Sequence, residues 1–163
     1  MNFSQPASVK FNVHDLIRAI TQNSAYDALT CALSGAQWEL LVSYMQPFAL
    51  TQGQVLIEQG ALDRTLYLVE SGTLSVHYED EDGSMKLAIL NPGAVVGEGA
   101  FFSRQPRSAS VVGTGPGKLW CLTPLRFTEM ANRQPALALE LAMGLGGVIA
   151  KRLSHKPKRV TVT

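Results

Sequence analysis

Glycines punctuate the middle of this chain at Gly53, Gly60, Gly72, Gly83 and Gly93, at spacings of 7, 12, 11 and 10 residues. A chain interrupted that often has no room for long helices there. It has room for short strands joined by turns and stacked as a sandwich or closed as a barrel. Between the glycines the pattern alternates. Leu74, Val76 and Tyr78 interleave with Thr73, Ser75 and His77, so one face is apolar and the other polar. Ser71-Gly72 and Asp82-Gly83 read as tight hairpin turns, and Asn91-Pro92-Gly93 as a further turn.

The flanks have a different period. Val13, Leu16, Ile17 and Ile20 fall at helical spacing, as do Trp38, Leu41, Val42 and Met45. Ser34 stands where it can cap the second of these helices. After the strand region, Pro124 suits a first helical turn with Thr123 as its cap. Pro135 restarts the helix after Asn132. From there Leu139, Met143, Gly146, Ala150 and Leu153 form one apolar seam at 4-3-4-3 spacing. Leu137, Leu141, Leu145 and Val148 form a second. A helix apolar on two sides needs two surfaces to pack on. The strand region is one, and a second copy of the same helix is a candidate for the other. Pro157 is expected to end it. The predicted organisation is a helical segment over 1–46, a strand domain over 47–123, helices over 124–156 and a tail over 157–163.

With 163 residues, 46% hydrophobic and 17% charged, the chain is long and apolar enough for one domain with a core. The net charge of +1 argues against a protein built around nucleic acid or an anionic membrane. Five of the fourteen Lys and Arg residues fall within Lys151–Arg159. That run is read as a solvated helix end favoured by the helix dipole, with a phosphate-contacting patch as the alternative. Cys31 and Cys121 form no C-x-x-C pair, and two reduced, buried thiols are expected. Met1 to Lys10 has no apolar signal region. The longest apolar run, Ala136 to Ala150, is too short to span a bilayer. A cytoplasmic location is the default expectation.

The chemically informative stretch is Val95 to Val111, V-V-G-E-G-A-F-F-S-R-Q-P-R-S-A-S-V. Gly97-Glu98-Gly99-Ala100 offers a backbone turn, a carboxylate and unpaired N–H groups. Pro106-Arg107-Ser108-Ala109 returns the chain with an arginine. An arginine fork suits a phosphodiester better than a lysine point charge does. N–H groups opening a short helical turn add donors, and a carboxylate accepts from a ribose hydroxyl. Spacing alone leaves another reading equally open. Gly97 and Gly99 can be ordinary turn glycines, and Glu98 and Arg107 a structural ion pair.

These residues resemble the phosphate-binding cassette of the cyclic nucleotide-binding domain family, G-E-[LI]-A followed by P-R-[ST]-A. The family includes the catabolite activator-like sensors. Gly97, Glu98, Ala100, Pro106, Arg107, Ser108 and Ala109 match it. The likeness runs from Trp38 to Leu153. It takes in the Gly53 to Gly60 opening and the Tyr67 to Gly72 segment, Y-L-V-E-S-G. Gly99 departs from the pattern, since Leu or Ile is usual there. The resemblance implies an α+β, mainly β fold: a β-roll, or jelly-roll double-stranded β-helix. N-terminal helices would flank it on one side, a hinge helix and a long lid or dimerisation helix on the other. It implies cyclic AMP or cyclic GMP as ligand. Arg107 would take the phosphate oxygens and Glu98 the ribose 2′-hydroxyl. Backbone N–H groups of Gly99 and Ala100 would reach the phosphate with help from Ser108 and Ala109. Ser108, where Thr accompanies cyclic GMP, leans towards cyclic AMP.

No metal site is expected from the scattered His14, His77 and His155. His77 is read as solvated on a polar strand face. The Glu79–Asp82 run lacks the spacing of a calcium loop, and no nucleophile elbow or Walker A sequence exists. A non-enzymatic sensor is expected, signalling through its C-terminal helices to an unknown effector protein or to a homodimer formed through the 135–154 helix. Membrane association is not expected. The chain ends too soon after His155 for a helix-turn-helix, so DNA binding by that route is not expected either. The sensor part of a larger regulator or channel, or a ligand-free dimerisation module of the same fold, are the competing readings.

Overall fold

The computed structural model describes residues 8–155. The five punctuating glycines all adopt left-handed backbone, with φ between 75° and 87°. They divide the middle of the chain into eight strands: β1 (Gln46–Leu50), β2 (Val55–Ile57), β3 (Leu66–Ser71), β4 (Leu74–Glu79), β5 (Met85–Leu90), β6 (Val95–Val96), β7 (Ser110–Gly113) and β8 (Gly117–Leu122). The strands form two antiparallel sheets, ordered β1-β8-β3-β6 and β2-β7-β4-β5. This is the mixed helix-and-strand β-roll that the family resemblance implies.

Every connection except β4–β5 crosses from one sheet to the other. That corrects one expectation. Ser71-Gly72 is not a hairpin turn, because β3 and β4 lie in different sheets. It is a corner, and a Cβ on Gly72 would lie 2.7 Å from the Pro116 carbonyl oxygen and 2.8 Å from the Gly117 Cα. Asp82-Gly83 does close a hairpin, with Ser75 opposite Ile89 and His77 opposite Leu87. Asp80 builds its tip, accepting at Oδ1 from the N–H groups of Asp82 (3.1 Å) and Ser84 (2.9 Å). His77 is half-buried and bonded to the Ser75 hydroxyl at 2.8 Å, rather than simply solvated.

The first sheet is buried on both faces, which explains the near-continuous apolar run of β3. Tyr67 and Val69 face the second sheet, sharing a core with Leu50, Ile57, Leu74, Val111 and Leu119. Leu66 and Leu68 face the helices, sharing a core with Leu16, Trp38, Leu41, Met130, Leu141 and Leu145. Glu70 is buried on that side and accepts from the Trp120 indole N–H at 2.9 Å and the Asn12 N–H at 3.3 Å.

The covering helices are α1 (Val13–Gln22), α2 (Gly35–Ser43), α4 (Pro124–Arg133) and α5 (Pro135–Ser154), with α3 (Glu98–Ser103) inside the roll's own connection. Ser34 caps α2 in a reciprocal box with Gln37, worth about 1 kcal/mol. Thr123 caps α4, and Pro124 opens it. The two stripes of α5 part as the two-surface argument requires. Leu137, Leu141, Leu145 and Val148 are buried, while Leu139, Met143, Gly146, Ala150 and Leu153 are exposed. Pro157 and the rest of the 157–163 tail lie outside the described residues. No described helix is long and apolar enough to cross a membrane.

Candidate functional site

At Gly97 the chain leaves β6 with φ 85° and enters α3. A side chain is excluded here on two counts. The left-handed backbone strains any L residue, and a Cβ would lie 2.6 Å from Arg107 Nη1 and 2.7 Å from the Thr65 carbonyl oxygen. Helix geometry leaves the N–H groups of Glu98, Gly99 and Ala100 without intrahelical acceptors. The Phe101 N–H is satisfied by Gly97 O at 3.2 Å. Phe101 anchors the turn in the core, edge-on to Phe127 of α4 with ring centroids 5.4 Å apart. Arg64 holds the far end, donating to the carbonyls of Ala100 (3.3 Å) and Phe101 (2.8 Å).

Arg107 arrives from the other side and is only 4% exposed. Its backbone pairs with the 58–65 loop: its N–H donates to Ala61 O and its carbonyl accepts from the Gly60 N–H, both at 2.8 Å. The guanidinium is engaged almost completely. Nε and Nη2 both donate to Asp63 Oδ2, at 3.1 and 2.9 Å. Nη2 also donates to Thr65 O at 2.7 Å, and Nη1 to Gly97 O at 3.0 Å. An arginine has five N–H bonds, so one, on Nη1, has no protein acceptor among the described residues. The fork thus meets Asp63, and a bound anion would meet its remaining edge. Burial works against the charge of Asp63, but the Thr65 N–H and the Arg107 guanidinium hold its carboxyl below the usual carboxylate range.

Glu98 has a different partner. Its Oε1 lies 2.7 Å from Nη1 of Arg152, near the end of α5. The Glu98–Arg107 ion pair left open above does not form; each residue pairs elsewhere. Arg152 also corrects the reading of the Lys151–Arg159 run as a solvated helix end. It is three-quarters buried at the side chain, donating through Nε to Asp27 at 2.6 Å and through Nη2 to Val95 O at 2.9 Å. Lys156 to Arg159 lie outside the described residues.

The seven predicted residues, Gly97, Glu98, Gly99, Ala100, Arg107, Ser108 and Ala109, line one cavity of about 140 Å³. Its apolar wall is Ile57, Val76, Leu90, Val96 and Val111, with Arg152 on the remaining side. Ala100 is buried with Arg107, Ala109 is half-buried, and Gly99 and Ser108 are exposed. A Cβ on Gly99 would meet nothing within 4 Å, so sterics do not demand glycine there as they do at Gly97. Sequence reasoning missed Asp63, Arg64, Thr65, Asp27 and Arg152. One local signal was available: Asp63-x-Thr65 is an Asx-turn pattern, formed here by the Thr65 N–H and Asp63 Oδ1 at 2.9 Å.

The comparisons with known proteins bear on the family and the fold. The chain is 32% identical over 122 residues to the cyclic AMP receptor protein of Thermus thermophilus, covering 74% of this chain and 55% of the relative. It is 37% identical over 82 residues to acetyltransferase Pat of Mycolicibacterium smegmatis, covering 50% of this chain and 25% of the relative. The chain therefore spans from a quarter to about half of these relatives' lengths. The crystal structure of the Thermus thermophilus catabolite activator protein superposes with a TM-score of 0.68 at 31% identity, over 76% of this chain and 56% of that one. A cyclic nucleotide-binding domain from Methylobacillus flagellatus shares the fold at a TM-score of 0.77 and 21% identity, over 87% and 78%. The family model for the cyclic nucleotide-binding domain matches residues 47–134, and the chain belongs to that family.

Proposed function

We propose that this chain is a non-enzymatic receptor domain for a cyclic nucleotide, cyclic AMP in preference to cyclic GMP, and that it passes occupancy on through α4 and α5. The observation that carries this reading is the buried Arg107 guanidinium. It lines the cavity with one N–H left over, alongside the unpaired N–H groups that open α3. A singly charged phosphate fits that donor set, because it supplies the acceptors both groups lack. Glu98 supplies a carboxylate for the ribose 2′-hydroxyl, and its Oε1 is already oriented by Arg152. The wall of Ile57, Val76, Leu90 and Val111 suits the apolar edge of the sugar and base. Exposed Ser108, in place of Thr, favours cyclic AMP.

Two contacts support an output through the helices. Phe101 of the cassette packs on Phe127 of α4, and Glu98 is tied directly to α5. The exposed seam from Leu139 to Leu153 is free of charged side chains at its five positions, which suits pairing with a second copy.

Calorimetry with cyclic AMP and cyclic GMP tests the ligand. Saturable binding, tighter for cyclic AMP, is expected. Arg107→Lys should weaken it at least about tenfold, since an ammonium cannot hold Asp63 and Thr65 while also reaching a phosphate. No binding of either nucleotide at millimolar concentration overturns the reading. Sedimentation tests the seam: a dimer is expected, and a monomer both with and without ligand removes that half of the proposal.

A further inference from the structure

The segment joining α1 to α2, residues 23–34, contains no helix or strand, yet it follows α5 along its last three turns. At one end Gly144 lies against it: a Cβ there would meet Cys31 Sγ at 2.5 Å and Thr30 O at 3.0 Å. At the other end the Tyr26 ring stacks on His155, with centroids 4.1 Å apart and planes 24° from parallel. Between these contacts, Asp27 Oδ2 accepts from Arg152 Nε at 2.6 Å. Leu29, on the same segment, is buried in the core beneath. This strap is therefore fixed at both ends and carries its single carboxylate to one guanidinium.

That guanidinium is planar, and three of its nitrogens are engaged by three different parts of the fold. Nε is held by Asp27, Nη2 by the Val95 carbonyl at 2.9 Å, and Nη1 by Glu98 Oε1 at 2.7 Å. Two fixed points determine the orientation of a rigid plane about its stem, and the third nitrogen then has no choice of direction. Burial disfavours the charge on Asp27, but the hydrogen bond and charge of Arg152 keep its carboxyl below the usual range. The pair is thus ionised at neutral pH.

We infer that Asp27 is a positioning residue for the nucleotide's ribose. With Val95 O it fixes the plane of Arg152, and Arg152 in turn holds the Glu98 carboxylate at the angle that receives the 2′-hydroxyl. Asp27 does not line the cavity. It acts on one hydroxyl, at second hand, from the strap beside α5. This inference rests on the proposed binding of a cyclic nucleotide with Glu98 at the ribose.

The test compares cyclic AMP with its 2′-deoxy analogue by calorimetry, in the full chain. Wild type should prefer cyclic AMP by about tenfold, the worth of one charge-assisted hydrogen bond. Asp27→Asn should weaken cyclic AMP by roughly fivefold and leave the deoxy analogue unchanged, so that the preference shrinks. Arg152→Met should shrink the preference as well, and adding Asp27→Asn to it should change nothing further. Equal weakening of both ligands by Asp27→Asn, or no weakening of either, overturns the inference while leaving the binding reading intact. A wild type that binds neither ligand overturns both, and one that binds the two equally overturns the ribose role of Glu98 and this inference with it while nucleotide binding stands. Thermal melts of each variant confirm that a folded protein was measured.

Discussion

Arg107 and Glu98 line the same cavity but are held in opposite ways. Arg107 is gripped entirely by the roll: Asp63, Thr65 and Gly97 are its acceptors, and all lie within the strand region or its loops. Glu98 is gripped by groups outside the roll, since Arg152 is on α5 and its own partner Asp27 is on the strap. The Arg107 end of the cavity is thus part of the roll itself. The Glu98 end is fastened to α5 and, through Asp27, to the strap. On the proposed reading, a ligand joining the two ends would bridge the roll to α5, which is the coupling a helical output requires.

The largest effect should come from Arg107→Met, which removes the anchor at the roll end. Nucleotide binding should be abolished and urea denaturation should show a loss of about 3 kcal/mol, because the 58–65 loop and Gly97 lose their shared donor. Gly97→Ala and Gly99→Ala then separate the two glycines of the cassette. The first meets Arg107 and Thr65 at under 3 Å on left-handed backbone and should cost about 2 kcal/mol or more. The second meets nothing and should raise stability by up to about 1 kcal/mol through helix propensity. Equal effects would erase the distinction. Glu98→Gln comes next, at the end tied to α5. It should weaken cyclic AMP by about tenfold with little change in melting temperature. A large drop in stability would instead make Glu98 a structural residue.

Acid should produce the smallest effect. Asp27 and Asp63 both have carboxyls below their ordinary value of 3.8. A depressed carboxyl contributes stability that is complete above its unfolded pKa and is lost as pH falls through the folded one. Denaturant midpoints should therefore hold steady down to about pH 5 and fall below pH 4. Asp63→Asn and Asp27→Asn should each flatten that fall.

The sequence yielded most where structure is local. Left-handed turns need glycine, so Gly53, Gly60, Gly72, Gly83 and Gly93 marked the strand ends directly. The caps at Ser34 and Thr123 and the two stripes of α5 follow from short-range spacing in the same way. The family pattern assembled the seven cavity residues because it encodes a shape that spacing alone does not. What stayed hidden was long-range. A turn signal at Ser71-Gly72 is the same whether the next strand pairs with the last or crosses to another sheet. Asp63 meets Arg107 from 44 residues away, and Asp27 meets Arg152 from 125. Neither pair has a periodicity to betray it. A basic run at a helix end gives no hint that one of its members turns inward.

The pairing of β1 with β8 sets the order in which this protein can be born. Gln46 lies opposite Cys121, and Leu50 opposite Gly117, so the first sheet closes with the last strand made. At translation rates of roughly 5–20 residues per second, the emerging β1 waits on the order of ten seconds for that partner. Throughout that interval β3 lacks its central neighbour, and its run of Leu66, Tyr67, Leu68 and Val69 is an unsatisfied edge. Non-local closure of this kind makes for slow refolding in vitro. It also makes the nascent roll, with α5 still to come, the state most in need of a chaperone.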